Sequence, residues 1–516
     1  MVSLRLKLMV LAVAVAAIIP AGLRAQASPY LPVDDISYHY VDALMSRGLL
    51  LGLSALERPY HAGDVRAALD SIDVDGTGRV TRSMIEALSQ TIHRFELRRA
   101  SDSTERIPFR AKATFDIYAT AETSGLRELM RADWDEAVHP AAAGYFVMGG
   151  GHLAGSVRAI LDPRLNADPE FSSKKDRSIA GRTEDAYLSG QWKYAQAAFG
   201  RVGRSWGPTQ FSGLLLGDDA YTYDHFFARV GTRRIYISTA LARLEGYLIA
   251  PGVDVSRYFS VHRLGFQRGQ FEGGLSESYL YTGVHRGLEF SLVNPLNVFG
   301  LSWKNERTDG NLSFGFDLAW KSPRFGTWST QVLLDDIQID RCDTVCNEPS
   351  SYGFTFSAEG IPLAGEQRAF ASYTRVSNLA YRTPNISERY SSHLVGLGRG
   401  FSDYDEMRVG LDVALIPRTT LRAYAARRRQ GAGDYRIPFP PLEDYAATPG
   451  FLAGTVSTVN RLGLSGASTY GRDLQLVADA GINFNRNRFG IAGLNDEQFE
   501  GRVKAIWVPR WLIPFH

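Results

Sequence analysis

The chain has 516 residues, more than one ordinary soluble domain needs. Its 57 Lys and Arg nearly balance 55 Asp and Glu, for a net charge of +2, which excludes a bulk electrostatic pull on nucleic acid. Aromatic residues make up 11% and there are 50 glycines, a composition that suits amphipathic strands with aromatic belts and tight turns.

Residues 1–27 read as a secretory signal peptide. Arg5 and Lys7 give a positive start, residues 8–19 an apolar middle, and Ala25-Gln26-Ala27 a small-residue cleavage site. The remainder contains no run of about 18 apolar residues, so an exported chain without a membrane-spanning helix is expected.

Residues 28–106 carry helical periodicity. Helices are expected over 34–50, with Tyr40, Val41, Leu44 and Met45 on one side, over 64–69, and over 81–99, where Met84, Ile85, Leu88, Ile92 and Phe95 recur. Placed before the strands, this module is expected in the periplasm. Residues 71–82 resemble a calcium loop at Asp73, Asp75 and Gly76, but position twelve is Arg82 where a bidentate Glu belongs. A Gly-rich turn between helices is the better reading.

From residue 107 the period is two. Leu312, Phe314, Phe316, Leu318 and Trp320 share one face, and Asn311, Ser313, Gly315, Asp317, Ala319 and Lys321 the other. Val409 and Leu411 alternate with Arg408, Gly410 and Asp412, and Ile482 and Phe484 with Gly481 and Asn483. A soluble sandwich also alternates. An exported chain whose polar face is rich in Gly, Asp, Asn and Arg fits a barrel with a wet lumen instead.

Short turns are expected near 149–151, 194–195, 231–233, 268–270, 322–327, 360–367, 416–419 and 467–472. Long connections are expected near 120–141, 164–185, 206–224, 242–256, 282–310, 338–351, 382–405, 430–454 and 485–496. Eight turns and nine long connections join 18 strands, so residues 107–516 are read as an 18-stranded antiparallel transmembrane β-barrel with both ends in the periplasm. The only cysteines, Cys342 and Cys346, fall in a long connection, where a small loop disulfide is expected.

Several stretches in the middle of the chain occur in a particular order: Gly203-Arg-Ser-Trp-Gly-Pro208, Gly217-Asp-Asp-Ala220, Arg257-Tyr-Phe-Ser-Val-His-Arg263, Gly274-Leu-Ser-Glu-Ser-Tyr279, Asn294-Pro-Leu296 and Leu333-Leu-Asp-Asp-Ile337. Leu31-Pro-Val-Asp, Arg47-Gly-Leu-Leu and Arg58-Pro-Tyr60 precede them. As an ordered set they resemble the Wzi-type capsule assembly family over nearly the whole mature chain, with a looser match in the C-terminal third. The resemblance implies an 18-stranded outer-membrane barrel with a periplasmic helical module, acting as a lectin that holds capsular polysaccharide on the cell surface.

The residues singled out for polysaccharide contact are Arg204, Trp206, Asp218, Asp219, Tyr221, Tyr223, His262, Arg263, Glu277, Asn294, Trp303, Arg427, Arg428 and Arg429. Arg204 and Trp206 are expected at the outer end of strand five, Trp206 either stacking on a sugar ring or packing under a loop. Arg263 and Glu277 are expected to pair across strands eight and nine, more as a lumen brace than as a ligand site. The connection 282–310, containing Asn294, is expected to fold inward and narrow the lumen. Arg427, Arg428 and Arg429 are expected at the outer rim, able to meet lipopolysaccharide phosphates or an acidic polysaccharide.

Gly203-Arg-Ser-Trp-Gly207 also matches a serine-hydrolase pattern, but Pro208 and a Gly-rich loop follow where that chemistry needs a helix. Catalytic residues, metal and cofactor are therefore not expected. The expected partners are capsular or exopolysaccharide, outer-membrane lipid and lipopolysaccharide, and a periplasmic export partner, without nucleic acid, for a monomer in the outer membrane. A porin-like channel for small solutes is the alternative.

Overall fold

The computed structural model describes residues 27–97, 108–123, 137–168, 171, 174, 180–301, 310–336, 349–471, 473–509 and 513–515. Most of the expected signal peptide, both cysteines with their expected disulfide, and Trp303 lie outside the described residues.

Three helices open the chain: α1 (Ser37–Met45), α2 (Ala62–Asp70) and α3 (Arg79–Ile92). The first is shorter than its periodicity suggested. It starts at Ser37, where the Asp35 carboxylate accepts the Ser37 N–H at 2.9 Å, and ends before Gly48, whose φ is +76°. Residues 71–78 form the turn between α2 and α3, with the Asp75 N–H donated to Asp73 at 3.2 Å.

Eighteen long strands follow. They are β1 (Arg110–Glu122), β2 (Ala137–Gly150), β3 (Leu153–Leu161), β4 (Gly181–Gln191), β5 (Ala195–Arg201) and β6 (Asp224–Gly231). Next come β7 (Ile235–Arg243), β8 (Val253–Arg268), β9 (Phe271–Val284), β10 (Asn311–Ser322), β11 (Gly326–Asp336) and β12 (Ser351–Pro362). The last are β13 (Arg368–Val376), β14 (Tyr404–Asp412), β15 (Thr419–Gln430), β16 (Ser457–Tyr470), β17 (Leu474–Arg486) and β18 (Asp496–Trp507). Each pairs antiparallel with the next, and β18 closes the ring on β1 through Ile117↔Trp507 to Glu122↔Arg502. A terminal segment, Ile513–Phe515, extends that closure along Ala111–Ala113. The eight short turns and nine long connections fall where the alternation breaks.

Alternation decides what each face meets. On β10, Phe314 and Phe316 point outward and are exposed, while Asp317 and Lys321 point inward and are buried. Leu188, Leu275, Leu462, Leu464, Ile482 and Phe499 continue the exposed apolar band around the wall. Phe109, Tyr194, Phe271, Phe325, Tyr470 and Trp507 ring the short-turn end as an interfacial aromatic belt. A closed antiparallel wall, apolar outside and polar inside, is the architecture of an outer-membrane barrel.

The helical module seats in the short-turn end of the lumen. Lys321 donates to the Leu53 and Leu51 carbonyls at 2.7 and 3.0 Å. Arg94 bridges Asp35 of the module and Asp116 of β1, and Arg158 of β3 reaches Asp34 at 2.7 Å. Two glycines permit the contact. Gly360 has φ +72°, and a Cβ there would sit 1.8 Å from the Ser46 carbonyl oxygen. At Gly78 a Cβ would sit 2.3 Å from the Glu366 carboxyl carbon. Glu366, in the turn after β12, accepts the Thr81 N–H at 2.8 Å, the Thr81 hydroxyl at 2.6 Å and the Val80 N–H at 3.2 Å. A barrel turn thus caps α3, whose own capping residue, Gly78, has no side chain to do so.

Candidate functional site

Three long connections fold over and into the opposite end of the lumen: 202–223, 377–403 and 431–456. They interlock through buried polar contacts. The Tyr381 and Tyr390 hydroxyls donate to the Leu214 and Leu215 carbonyls at 2.7 and 2.6 Å. Gly217 donates to the Leu397 carbonyl at 2.7 Å, and Gly400 to the Asp219 carboxylate at 2.7 Å. Asp403 gathers the Gly433, Leu452 and Ala453 N–H groups at 2.8, 2.5 and 3.0 Å, tying the second connection to the third. Arg257 of β8 pins 377–403 from the wall by donating to the Ser387, Arg389 and Ser391 carbonyls at 2.7–2.8 Å.

The first connection meets the module inside the barrel. Ser205-Trp206 pairs antiparallel with Glu57-Arg58, and the Gly207 N–H donates to the Leu56 carbonyl at 2.8 Å. Gln331 of β11 clamps the same segment, donating to the Trp206 carbonyl at 2.7 Å and accepting the Leu214 N–H at 2.8 Å. Arg263 of β8 lies beside this joint, bonded to Glu57 at 3.0 Å and bidentate on Asp317. Glu57 also takes Arg229 at 3.1 Å and the Tyr236 hydroxyl. Burial alone would raise the Glu57 carboxyl, but the Arg229 and Arg263 guanidiniums hold it below its ordinary value. Much of the motif set therefore lies at an internal joint rather than on an open surface.

Several expected placements change. Arg204 and Trp206 are not at an outer strand end, because β5 stops at Arg201 and the chain then turns into the lumen. Arg204 is buried, donating to His225 at 2.8 Å and to the Tyr30 hydroxyl at 3.3 Å, and Trp206 is buried between the module and the wall. Ser205 sits on an extended segment with its hydroxyl accepting the Gly213 N–H at 3.0 Å, without the strand-to-helix turn of a hydrolase.

Arg263 and Glu277 do not pair. Register sets Arg263 opposite Ser276 and His262 opposite Glu277, so the two expected partners project from opposite faces of the wall. Glu277 bonds His262 at 3.0 Å on the outward face. The connection holding Asn294 does not enter the lumen either. Its Phe299 N–H donates to Glu277 at 2.9 Å, the Leu292 carbonyl accepts from Ser260 at 2.7 Å, and Leu292 and Phe299 bury Tyr279 and Tyr281 against the outside of the barrel. Asn294 itself makes a local turn, its side chain accepting the Leu296 N–H at 3.1 Å. Tyr258, Tyr279 and Tyr281, facing outward from β8 and β9, give this strap an apolar surface to cover. Arg428 points into the lumen beside Glu406, whereas Arg427 and Arg429 project outward. Tyr381, Tyr390 and Tyr435 are buried and form the core of the loop cap.

Four of the singled-out residues do come together. Arg204, Asp218, Tyr221 and Tyr223, with Asp34, Glu184, Thr222 and His225, line a cavity of ≈ 190 Å³ between the first long connection and the wall. Arg182 stacks over the Tyr221 ring at 4.2 Å, and the Tyr221 hydroxyl bonds Asp168. Ring faces beside carboxylates and a guanidinium are the groups a sugar needs for its C–H surface and its hydroxyls. A second cavity of ≈ 420 Å³, lined by Arg47, Arg408, Arg422, Arg461, Asp412 and Asp479 among others, separates α1 from the β13–β18 wall. Asp403 and Arg257 carry the loop cap without having been singled out as site residues. The signal available for the cap was the length of 377–403 without strand alternation.

A polar-lined barrel of 18 strands, closed at one end by a helical module and at the other by its own loops, defines the class: an outer-membrane β-barrel with a filled lumen. Among solved structures the chain is similar to Wzi of Escherichia coli, an outer-membrane protein involved in group 1 capsule assembly and a carbohydrate-binding β-barrel. That likeness has a TM-score of 0.63 at 13% identity and covers 95% of this chain and all (100%) of the other. OprD of Pseudomonas aeruginosa (TM-score 0.44, 9% identity, 79% and 96% covered) and OccAB4 of Acinetobacter baumannii (0.44, 11%, 80% and 100%) are also similar. No protein-family model and no curated protein sequence matches the chain. The chain shares the Wzi fold along essentially its whole length, as its ordered motifs led one to expect.

Proposed function

We propose that this chain is an outer-membrane protein that binds and anchors capsular or exopolysaccharide at the cell surface during capsule assembly. The observation that carries the reading is the loop cap: three interlocked connections make a fixed surface on a barrel that shares its fold with a carbohydrate-binding one. In this reading the long-loop end faces outward and the helical module faces the periplasm. The cavity beside Tyr221 and Tyr223 takes a single sugar ring, with Asp218 and Arg204 meeting its hydroxyls. The larger opening of ≈ 1130 Å³ around Glu57, Asp64 and Arg233 faces the periplasm, where an export partner would reach it.

The test is binding of purified full-length protein to surface polysaccharide extracted from its own cells, with Tyr221→Ala and Asp218→Asn alongside. Each variant is expected to weaken binding by roughly tenfold, the scale of a lost ring contact or charged hydrogen bond. Absence of binding to any extracted polysaccharide sinks the reading, as does normally anchored surface polysaccharide in cells lacking the gene.

A further inference from the structure

The outward face of the wall carries a separate cluster of charge at the long-loop end. Arg375 on β13 lies opposite Asp405 on β14, and Asp405 opposite Arg429 on β15. Arg429 lies opposite Thr458 on β16, and Thr458 opposite Arg486 on β17. Directly opposed residues share a face, so these five positions form one row across five strands. Strands lie about 4.8 Å apart, which spaces each arginine about 10 Å from the next along the row. Arg427 sits one rung below, opposite Met407 and Asn460. The row faces away from the lumen: Arg428, between Arg427 and Arg429 in sequence, is the residue buried inside.

Four guanidiniums here face two carboxylates, Asp405 and the exposed Glu497 of β18, which lies in the same rung as Arg427. Asp405 is committed to Arg429, at 3.0 and 2.5 Å, and to the Tyr373 hydroxyl at 3.3 Å. Arg375 packs over Phe451 at 3.6 Å, leaving its buried Nε without a hydrogen-bond partner among the described residues. Arg427 and Arg486 are exposed and have no ion-pair partner among the described residues. Directly below lies the lipid-facing band, with Met407, Leu462 and Ile482 exposed. Arginines at that border reach from the apolar band toward anions at the headgroup level, and a planar guanidinium holds phosphate through paired N–H bonds.

We propose that this row binds the phosphates of a phosphorylated glycolipid in the adjoining leaflet, its acyl chains lying on the band beneath. Charge complementarity and continuity with the lipid-facing surface both favour that occupant over a soluble anion. The site is independent of the sugar cavity, which lies inside the wall.

The test uses full-length protein in detergent micelles and native mass spectrometry. The probes are bisphosphorylated lipid A, the same lipid with both phosphates removed, and inorganic phosphate. Bisphosphorylated lipid is expected to be retained at least roughly tenfold better than the dephosphorylated form, as fits several charge-assisted bonds. The R427Q/R486Q variant, which breaks no internal contact, is expected to lose at least roughly threefold, and R375Q/R427Q/R429Q/R486Q nearly all of the preference. Should the fourfold variant fail to fold, R427Q/R486Q decides. Equal retention of the two lipids, unchanged binding by R427Q/R486Q, or full displacement by low millimolar inorganic phosphate overturns the assignment. So does binding of a soluble acidic polysaccharide to the row in place of the lipid.

Discussion

Arg263 donates its Nε–H to Glu57 at 3.0 Å, so the eighth barrel strand holds the helical module from inside the wall. The same guanidinium is bidentate on Asp317, and the arginine is almost fully buried. Removing one member of such a set leaves buried charge without compensation, at a cost of about 3–5 kcal/mol. Arg263→Ala is therefore expected to loosen the module, read as faster proteolytic cleavage within residues 28–97 and a lower urea midpoint. Adding Glu57→Gln and Asp317→Asn to it should recover part of the loss. Wild-type protease resistance in Arg263→Ala would show that the bond contributes little.

His61 gives the module a dependence on pH. Its Nδ1–H meets the Ser28 carbonyl at 2.7 Å, its Nε2 meets Gln196 at 2.7 Å, and its ring stacks on Tyr30 at 4.1 Å. Burial pulls its pKa down to about 4, against the opposing pull of Asp64. The folded form keeps it neutral while the unfolded chain takes up a proton near pH 6.5. Its full contribution is thus present above pH 6.5 and declines as pH falls from there toward 4. Urea midpoints at pH 7.5 and 5 should differ, and His61→Gln should shrink the difference; an unchanged difference rejects this role.

Glu366→Gln tests the cap supplied to α3. A capping interaction contributes about 1 kcal/mol, and the carboxylate is also favoured at a helix N-terminus. Burial acts to raise the Glu366 pKa, but the Thr81 and Val80 bonds hold it below its ordinary value. Its stabilisation is therefore present above the ordinary Glu range and is lost as pH falls through the lowered value. Faster amide exchange over Val80–Ser83 in the variant at pH 7 is the expected result; unchanged exchange argues against it.

The outer strap is held by two buried apolar residues. Phe299→Ala removes the ring packed 4.2 Å from His262 and 6.0 Å from Tyr279, at a cost of about 3–5 kcal/mol for a buried aromatic. New protease cleavage within residues 285–301 is expected while the barrel itself stays folded. If cleavage sites stay as in wild type, the strap is held by other contacts.

A filled lumen predicts little ion flow. Reconstituted in a planar bilayer, the full chain should show no steady open-channel current, because the module, 202–223 and 377–403 occupy the axis from both ends. Stable conductance of porin size would instead favour the solute-channel reading.

The barrel was legible because a strand's face is written every second residue. Asp317 and Phe316 announce their sides without reference to anything distant. Strand number and turn positions follow from where that rhythm stops. Direction of the long connections was not legible. Nothing local distinguishes the segment around Asn294, which turns outward over Tyr279, from the one around Leu214, which turns inward over Gln331. The first is decided by neighbouring strand faces, with contacts 22 and 32 residues away, and the second by partners 117 and 167 residues away in the chain. The error over Arg263 and Glu277 was of another kind: a one-residue offset in register exchanges inside and outside. Arg428 between Arg427 and Arg429 follows the same rule, and alternation alone would have separated it from its neighbours.

The cap on α3 also sets an order of events. The helix is synthesised before any barrel strand, yet its terminal N–H groups wait for an acceptor 285 residues downstream, and the Tyr40 hydroxyl for the Arg418 carbonyl 378 residues downstream. Contacts that distant form late. A module made before any strand is therefore among the last parts to reach its final structure, and it completes only as the wall closes around it.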